Sequence, residues 1–416
     1  MLEVRSLFAL VLLAATLGPP AAVAQPLRLI LPTSNDGLIT GDYPSFFQFT
    51  DRMFQGVRTH PWEGGQYGFV RNQKMTPAGI VFTKFHEGVD IKAVHRDARG
   101  EPLDTVWAVD DGRVVYVNRN ARASSYGRYV VVEHIWSGMP FYSLYAHLGS
   151  AQVAEGQRVR QRQMLGKMGY TGRGIDRRRA HVHFEINLML NADFKRWHTA
   201  YFRSNPHGLY NGVNLSGLNV AALYLELQRN RDLTIEEFLR SQEATYVVRV
   251  PNDGALDVHY RYPWLSEYGY DATAPSLEIS MAASGLPLRI ESSYESAIDP
   301  IVVQARPLNV SYEYASNGLL TGRHNPALTA SGRRYIQLIT TEARFPADTM
   351  LLAGRVLAPP SPEYPAPRRM RPASADTMMR RTPLAEAPSV APVTAVDGPV
   401  EQRSDRESSG GEVRGW

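Results

Sequence analysis

Apolar residues follow three different patterns along this chain. From about 75 to 190 they come in short alternating runs such as Tyr129-Val-Val-Val-Glu133, separated by glycine-containing turns. Alternation of that length predicts strands, and the short connections predict antiparallel pairing, so this core reads as mainly β. Helix formers then gather in Leu218–Gln228, and Thr234 with Glu237 stands at capping-box spacing before a second short helix. Strand-like runs return at Tyr246–Val250, Leu286–Ile290, Ile301–Val303 and Tyr335–Ile339, with Pro287 confining its strand to a sheet edge or a strand start. These runs predict a β-sandwich-like accessory domain. Beyond Ala358 the periodicity stops, ten prolines follow, and the composition predicts a disordered Pro/Arg-rich tail.

The two ends bound the location. Arg5, the apolar run Leu7–Leu17 and the small-x-small site Ala22-Val-Ala24 make the pattern of a secretory signal peptide. Its apolar core is too short for an ordinary membrane span. No later stretch approaches that length, and without cysteine there is no lipid attachment at the processing site. An exported protein, periplasmic or extracellular, with no stable membrane anchor after signal cleavage is therefore expected; uncleaved, the segment would anchor it. The net charge of +4 suits anionic polymers. It is too diffuse, and lacks the module, for nucleic acid.

The candidate chemistry sits in two short segments, His86-Glu-Gly-Val-Asp90 and His181-Val-His183-Phe-Glu185. Imidazole nitrogen and carboxylate oxygen are what Zn2+ takes when no thiol is available, and a catalytic zinc needs three protein ligands plus an open position. On a strand, His181 and His183 point to one face, about 6.6 Å apart. His86 and Asp90 would lie about 13 Å apart if extended, so the chain must turn between them, at Gly88.

His-x-Gly-x-Asp followed some ninety residues later by His-x-His-Phe-Glu resembles the M23 (LytM/lysostaphin-type) zinc metallopeptidases of bacterial cell walls. The landmarks between agree: Val106–Val115 resembles that family's strand–turn–strand, Tyr126–His134 its next strand, and Tyr145-Ala-His147-Leu148 its third histidine motif. The resemblance covers residues 65 to about 190. It implies His86, Asp90 and His183 as zinc ligands, with His147 and His181 flanking the activated water as general base and oxyanion stabiliser. Glu185 is either a carboxylate that orients a ligand histidine or a purely structural one. Two features depart from the family. Arg177-Arg178-Arg179 replaces a neutral loop, either clamping substrate carboxylates or merely solvated, and Ile80 stands where the lysostaphin-like branch carries tyrosine.

The resemblance implies a zinc metalloendopeptidase (a hydrolase) acting on cross-links or stems of peptidoglycan, with cross-links through meso-diaminopimelate the best substrate guess. The alternatives are a non-catalytic regulator of the same domain type that activates a cell-wall amidase, and a secreted peptidase acting on proteins. The expected organisation is a signal peptide (1–24), an N-terminal lead-in (25–64), the peptidase domain (65–200), a turn and helical connector (201–243), the β-rich accessory domain (244–357) and the tail (358–416). In some family members an upstream segment lies across the active site, a role open here to Asn35 or Asn72. The aromatics Tyr260, Tyr262, Trp264, Tyr268 and Tyr270 are either sugar platforms or core.

Overall fold

The strand His181–Met189 is the axis of the molecule, because every one of its nine side chains is buried. Val182, Phe184, Ile186 and Leu188 face the main apolar core, where each is worth roughly 1.5–3 kcal/mol of burial. The alternate positions His181, His183, Glu185 and Asn187 project from the opposite face, as the two-residue period of a strand requires. The neighbours of that face form a second cluster that includes Tyr129, Val131, Tyr142, Leu144 and Ala146.

The computed structural model describes residues 24–340, apart from 51, 52, 56, 59, 255, 267 and 268. The expected signal segment up to Val23, the proline-rich tail and Tyr268 lie outside the described residues. The architecture is mainly antiparallel β. Strand order in the principal sheet is Arg158–Val159, Gly112–Asn118, Tyr129–Trp136, Met139–Ala146, His181–Met189 and Leu215–Gly217. Val89–Lys92 pairs with the first half of His181–Met189, and Leu215–Gly217 with its end. A separate hairpin, Gly68–Thr76 with Gly79–His86, leads into the sheet.

The lead-in packs on this sheet. Phe46 and Phe47 are buried, Phe47 bridges to Ile91, and the Gln48 N–H donates to the Asp90 carbonyl at 2.8 Å. Gly88 sits where the chain turns from His86 to Asp90, and its need is space. A Cβ there would lie 2.4 Å from the Phe184 carbonyl oxygen and 2.7 Å from Glu185 Cγ. Helices at Val220–Arg229 and Ile235–Arg240 match the sequence expectation, the second with the Thr234–Glu237 capping box formed in both directions. A further helix, Phe194–Tyr201, was not anticipated.

Two expectations for the C-terminal part are corrected. Most accessory strands form one four-stranded antiparallel sheet, in the order Pro287–Ser293, Ser276–Met281, Tyr246–Pro251 and Ile301–Ala305, and Leu320–Thr321 pairs separately with Ala327–Leu328, rather than building the expected sandwich. Pro287 does lie on an edge strand. Tyr335–Ile339, expected as a strand, belongs to the helix Ala330–Thr340. Thr329 Oγ1 accepts from the Gly332 N–H at 2.9 Å, a local cap that starts a helix. Gly332, Ile336 and Ile339 then bury one helical stripe. Of the aromatics, Tyr262 and Trp264 are core, whereas Tyr260 is exposed.

The described residues, Gln55 to Val57 apart, fall in one compact unit. Specific bonds join the accessory segment to the principal sheet. The Tyr262 hydroxyl accepts from the Met189 N–H at 2.9 Å and donates to the Pro140 carbonyl at 2.8 Å. Trp197 Nε1 donates to the Arg334 carbonyl and Asn191 Nδ2 to that of Leu338. Tyr262 is fully buried, so Tyr262→Phe leaves two polar groups unpaired and is expected to cost about 1–3 kcal/mol. Denaturant unfolding should remain a single transition with a lowered midpoint; separate transitions for the two sheets would contradict this coupling.

Candidate metal centre

Strand register brings the donors together. His183 lies directly across from Asp90 on one side and from Ala146 on the other, a cross-strand distance at which short side chains meet. His86 ends the hairpin strand just before the Gly88 turn. The result is a triangle: His86 Nε2 to His183 Nδ1 is 3.0 Å, His86 Nε2 to Asp90 Oδ1 is 3.1 Å, and His183 Nδ1 to Asp90 Oδ1 is 3.0 Å. A tetrahedral zinc with bonds of about 2.0–2.1 Å has ligand atoms about 3.3 Å apart, so the donor set fits that ion. All three side chains are buried, and they form a potential metal-holding group among the described residues.

Each imidazole is held by its other nitrogen. His86 Nδ1 donates to the Gln66 carbonyl at 2.7 Å, and His183 Nε2 donates to Glu185 Oε1 at 2.5 Å. Glu185 is fixed in turn by the Tyr126 hydroxyl at 2.8 Å and by Asn187 Nδ2 at 3.0 Å. Such outer partners set tautomer and ring orientation. Glu185 therefore orients His183, the first of the two roles open to it in the sequence.

His181 and His147 complete the cluster, their ring centroids 4.7 Å apart. His181 Nδ1 donates to the Arg179 carbonyl at 2.7 Å, leaving Nε2 at 3.5 Å from Asp90 Oδ1. His147 Nδ1 donates to the Thr171 carbonyl at 2.9 Å. The His147 backbone has φ of 60°, a left-handed conformation that costs about 1–3 kcal/mol and persists where the surroundings enforce it. Here the His147 N–H is tied to the Tyr126 carbonyl at 2.9 Å.

Charge follows from these contacts. Burial, with help from His181 and His183, holds His147 well below the usual imidazole range. Burial and the Arg71 guanidinium bring His86 down to about 4. Burial also pushes His183 down, but hydrogen bonds to Asp90 and Glu185 overturn that and lift it to about 10. Burial raises Asp90, yet His86, His181 and Arg71 outweigh it and keep the carboxyl well below its ordinary value.

Arg71 has no motif spacing to reveal it in the sequence. Its Nη2 contacts Asp90 Oδ2 and lies 3.2 Å from His86 Nε2. Neither asparagine considered as an active-site cover reaches the cluster: Asn35 Nδ2 is spent on the Ser45 and Lys92 carbonyls, and Asn72 is exposed on the hairpin. Tyr126 was likewise missed, whereas Asn187 continues the alternation of His181, His183 and Glu185. The arginine run forms a short 3-10 turn capped by Asp176, with the Arg178 side chain 79% exposed. His134 is tied to the Asp111 carbonyl and Ser143 Oγ and stacks on Trp136.

Residues 84–193 match peptidase family M23. The murein hydrolase activator NlpD of Escherichia coli (strain K12) is 34% identical over 90 residues, 22% of this chain and 21% of that protein. NlpD of Salmonella typhimurium is also 34% identical over 90 residues, 22% of each chain. The match thus spans about a fifth of the length of these curated relatives. Among solved structures, a zinc-containing peptidase from Vibrio cholerae aligns at 25% identity over 34% of this chain and 36% of that one, with a TM-score of 0.22. The catalytic domain of lysostaphin from Staphylococcus simulans aligns at 23% over 29% and 75%, with a TM-score of 0.20.

In the metal-free protein the raised His183 value makes a testable pH dependence. Its charge stabilises the fold fully below about pH 6.5, the unfolded value, and that contribution is lost as the pH rises through about 10. Chelator-treated protein should lose stability between those limits in denaturant titrations, and His183→Gln should flatten that slope. A metal at Nδ1 must displace the same proton, so calorimetric titration in buffers of different ionisation enthalpy should register proton release on zinc binding at neutral pH.

Proposed function

Residues 84–193 belong to peptidase family M23, and on that premise we propose that the chain is a zinc-dependent endopeptidase. Its substrate would be the peptide of bacterial peptidoglycan, encountered in the periplasm or outside the cell. The observation that carries this reading is the donor triangle of His86, Asp90 and His183, with two further imidazoles set against it.

His86 Nε2, Asp90 Oδ1 and His183 Nδ1 would hold the zinc. A zinc ion bound there would supply polarisation of the scissile carbonyl and a water whose pKa is lowered toward about 7. His147 supplies the base. Its Nδ1 proton is committed to the Thr171 carbonyl, so Nε2 carries the lone pair, and burial keeps the ring neutral at physiological pH. It takes a proton from the attacking water at Nε2 and returns it to the leaving amine. His181, fixed by the Arg179 carbonyl, presents Nε2 toward the same space. From that position it faces the oxygen that gains charge as the carbonyl is attacked. Glu185 holds His183 by Nε2, which would leave Nδ1 as the nitrogen for the metal.

A second reading is favoured by the relatives named murein hydrolase activators: the domain would bind and stimulate another wall hydrolase without cutting. The complete donor set and the neutral His147 support hydrolysis over this alternative. No helix among the described residues is long and apolar enough to cross a membrane, which is compatible with either.

His183→Ala is expected to lose both zinc and hydrolysis. His147→Ala and His181→Ala should keep most of the zinc while losing on the order of 10²–10⁴-fold in rate. Elemental analysis reads the first quantity, and mass spectrometry of muropeptides released from sacculi, with and without chelator, reads the second and identifies the bond. Folded, zinc-loaded protein that releases nothing alone but increases release by an added amidase would sink the endopeptidase reading in favour of the activator.

A further inference from the structure

Arg71 reaches the donor cluster by a route that the fold takes care to build. The hairpin register runs Gly68 to His86 and Phe69 to Phe85, then shifts so that Arg71 pairs with Lys84. Bulges of this kind re-aim a side chain. Arg71 Nε donates to the Gly64 carbonyl at 2.9 Å. Gly64 is closely packed, with no room for a side chain: a Cβ on it would lie 1.7 Å from Thr50 Oγ1. Farther along the same strand, the Lys74 ammonium sits 4.3 Å from the Tyr314 ring centroid and contacts its hydroxyl. The hairpin is thus held at both ends, and the guanidinium is delivered to Asp90.

Asp90 divides its two oxygens. Oδ1 belongs to the triangle with His86 and His183, while Oδ2 is taken by Arg71 Nη2. A carboxylate can offer a metal one oxygen or two, and the side chain alone does not decide which. We infer that Arg71 is a positioning residue that reserves Oδ2 and so restricts Asp90 to a single metal-binding oxygen. This rests on the metal-centre reading above. Its chemical consequence is that this chain's three ligands contribute three atoms and no more, leaving room for water and the substrate carbonyl. An ordinary ion pair holding the hairpin down would use the same contact but would have no bearing on how many oxygens Asp90 presents.

The full chain, loaded with cobalt in place of zinc, distinguishes the two roles. Four-coordinate cobalt absorbs visible light more strongly than five-coordinate cobalt. With Arg71→Met, the freed Oδ2 should join Oδ1, weakening that absorption. Zinc affinity, measured against a chromophoric chelator, should stay at the wild-type value or tighten, because an oxygen is gained and a neighbouring positive charge is lost. Hydrolysis should nevertheless fall about 10–100-fold. Arg71→Lys keeps the charge and one set of donors, so it should recover part of both the spectrum and the rate. Arg71→Met protein that folds with an unaltered cobalt spectrum and rate would overturn the inference. So would Arg71→Met protein that binds zinc more than tenfold more weakly, because the contact would then be a structural support. Wild-type protein that takes up no cobalt would overturn the metal-centre reading and this inference with it.

Discussion

The pairing of His183 with Asp90 across two adjacent strands holds the site in being, and most of the surrounding structure serves to fix that register. A slip of one residue along His181–Met189 would carry His181, His183 and Glu185 into the apolar core and turn Val182, Phe184 and Ile186 toward the polar cluster. The cost of exchanging several buried apolar side chains for imidazoles and a carboxylate makes the register nearly unconditional. Tyr145 packs against Phe184 at 5.2 Å between ring centroids on the core side. Leu215–Gly217 closes the far end of the strand, and the Tyr262 hydroxyl grips the Met189 N–H.

Burying the charged groups of the site is tolerable because each of them has a partner. Asp90 and Glu185 bring two negative charges into a region almost closed to solvent, and they are answered by Arg71 and by the protonated His183. Removing any one leaves an uncompensated buried charge, which is far more costly than the pair is worth. For a dication to bind at the triangle, the proton on His183 Nδ1 would have to leave and Arg71 Nη2 would have to give up its contact with His86 Nε2. The carbonyls of Gln66, Thr171 and Arg179 each take an Nδ1 proton from a histidine, so the imidazoles stand oriented in the metal-free chain. The accessory segment takes part indirectly, through Tyr262 against the central strand and Tyr314 against the hairpin that carries Arg71.

The candidate site residues on the central strand were legible because their spacing is a strand's spacing. His181, His183 and Glu185 alternate, so one face is implied before any fold is known, and Asn187 extends the same series. The capping box at Thr234 and the edge position of Pro287 were readable for a similar reason, since each depends on contacts within a few residues. Tyr335–Ile339 misled because a five-residue, mostly apolar run fits a strand and a helix equally. The deciding cap, Thr329, stands outside the run. The sandwich expectation for the accessory segment failed for the same reason: with that run helical, only the short pair Leu320–Thr321 and Ala327–Leu328 stands outside the four-stranded sheet. Arg71 and Tyr126 lie nineteen and fifty-nine residues from the partners they serve, Asp90 and Glu185, and no local pattern encodes such distances.

What the sequence determined by itself is therefore the donor set, the β character of the core and the short-range caps, all properties of side-chain type and periodicity. Tertiary structure alone decided which atoms of those donors converge, that Glu185 clamps His183 while Arg71 claims the second oxygen of Asp90, and that the accessory segment locks onto the principal sheet. Those outcomes follow from register, a bulge and the close approach of distant backbones. Such features are set by packing the whole chain into one volume, so they leave no trace in any single stretch of it.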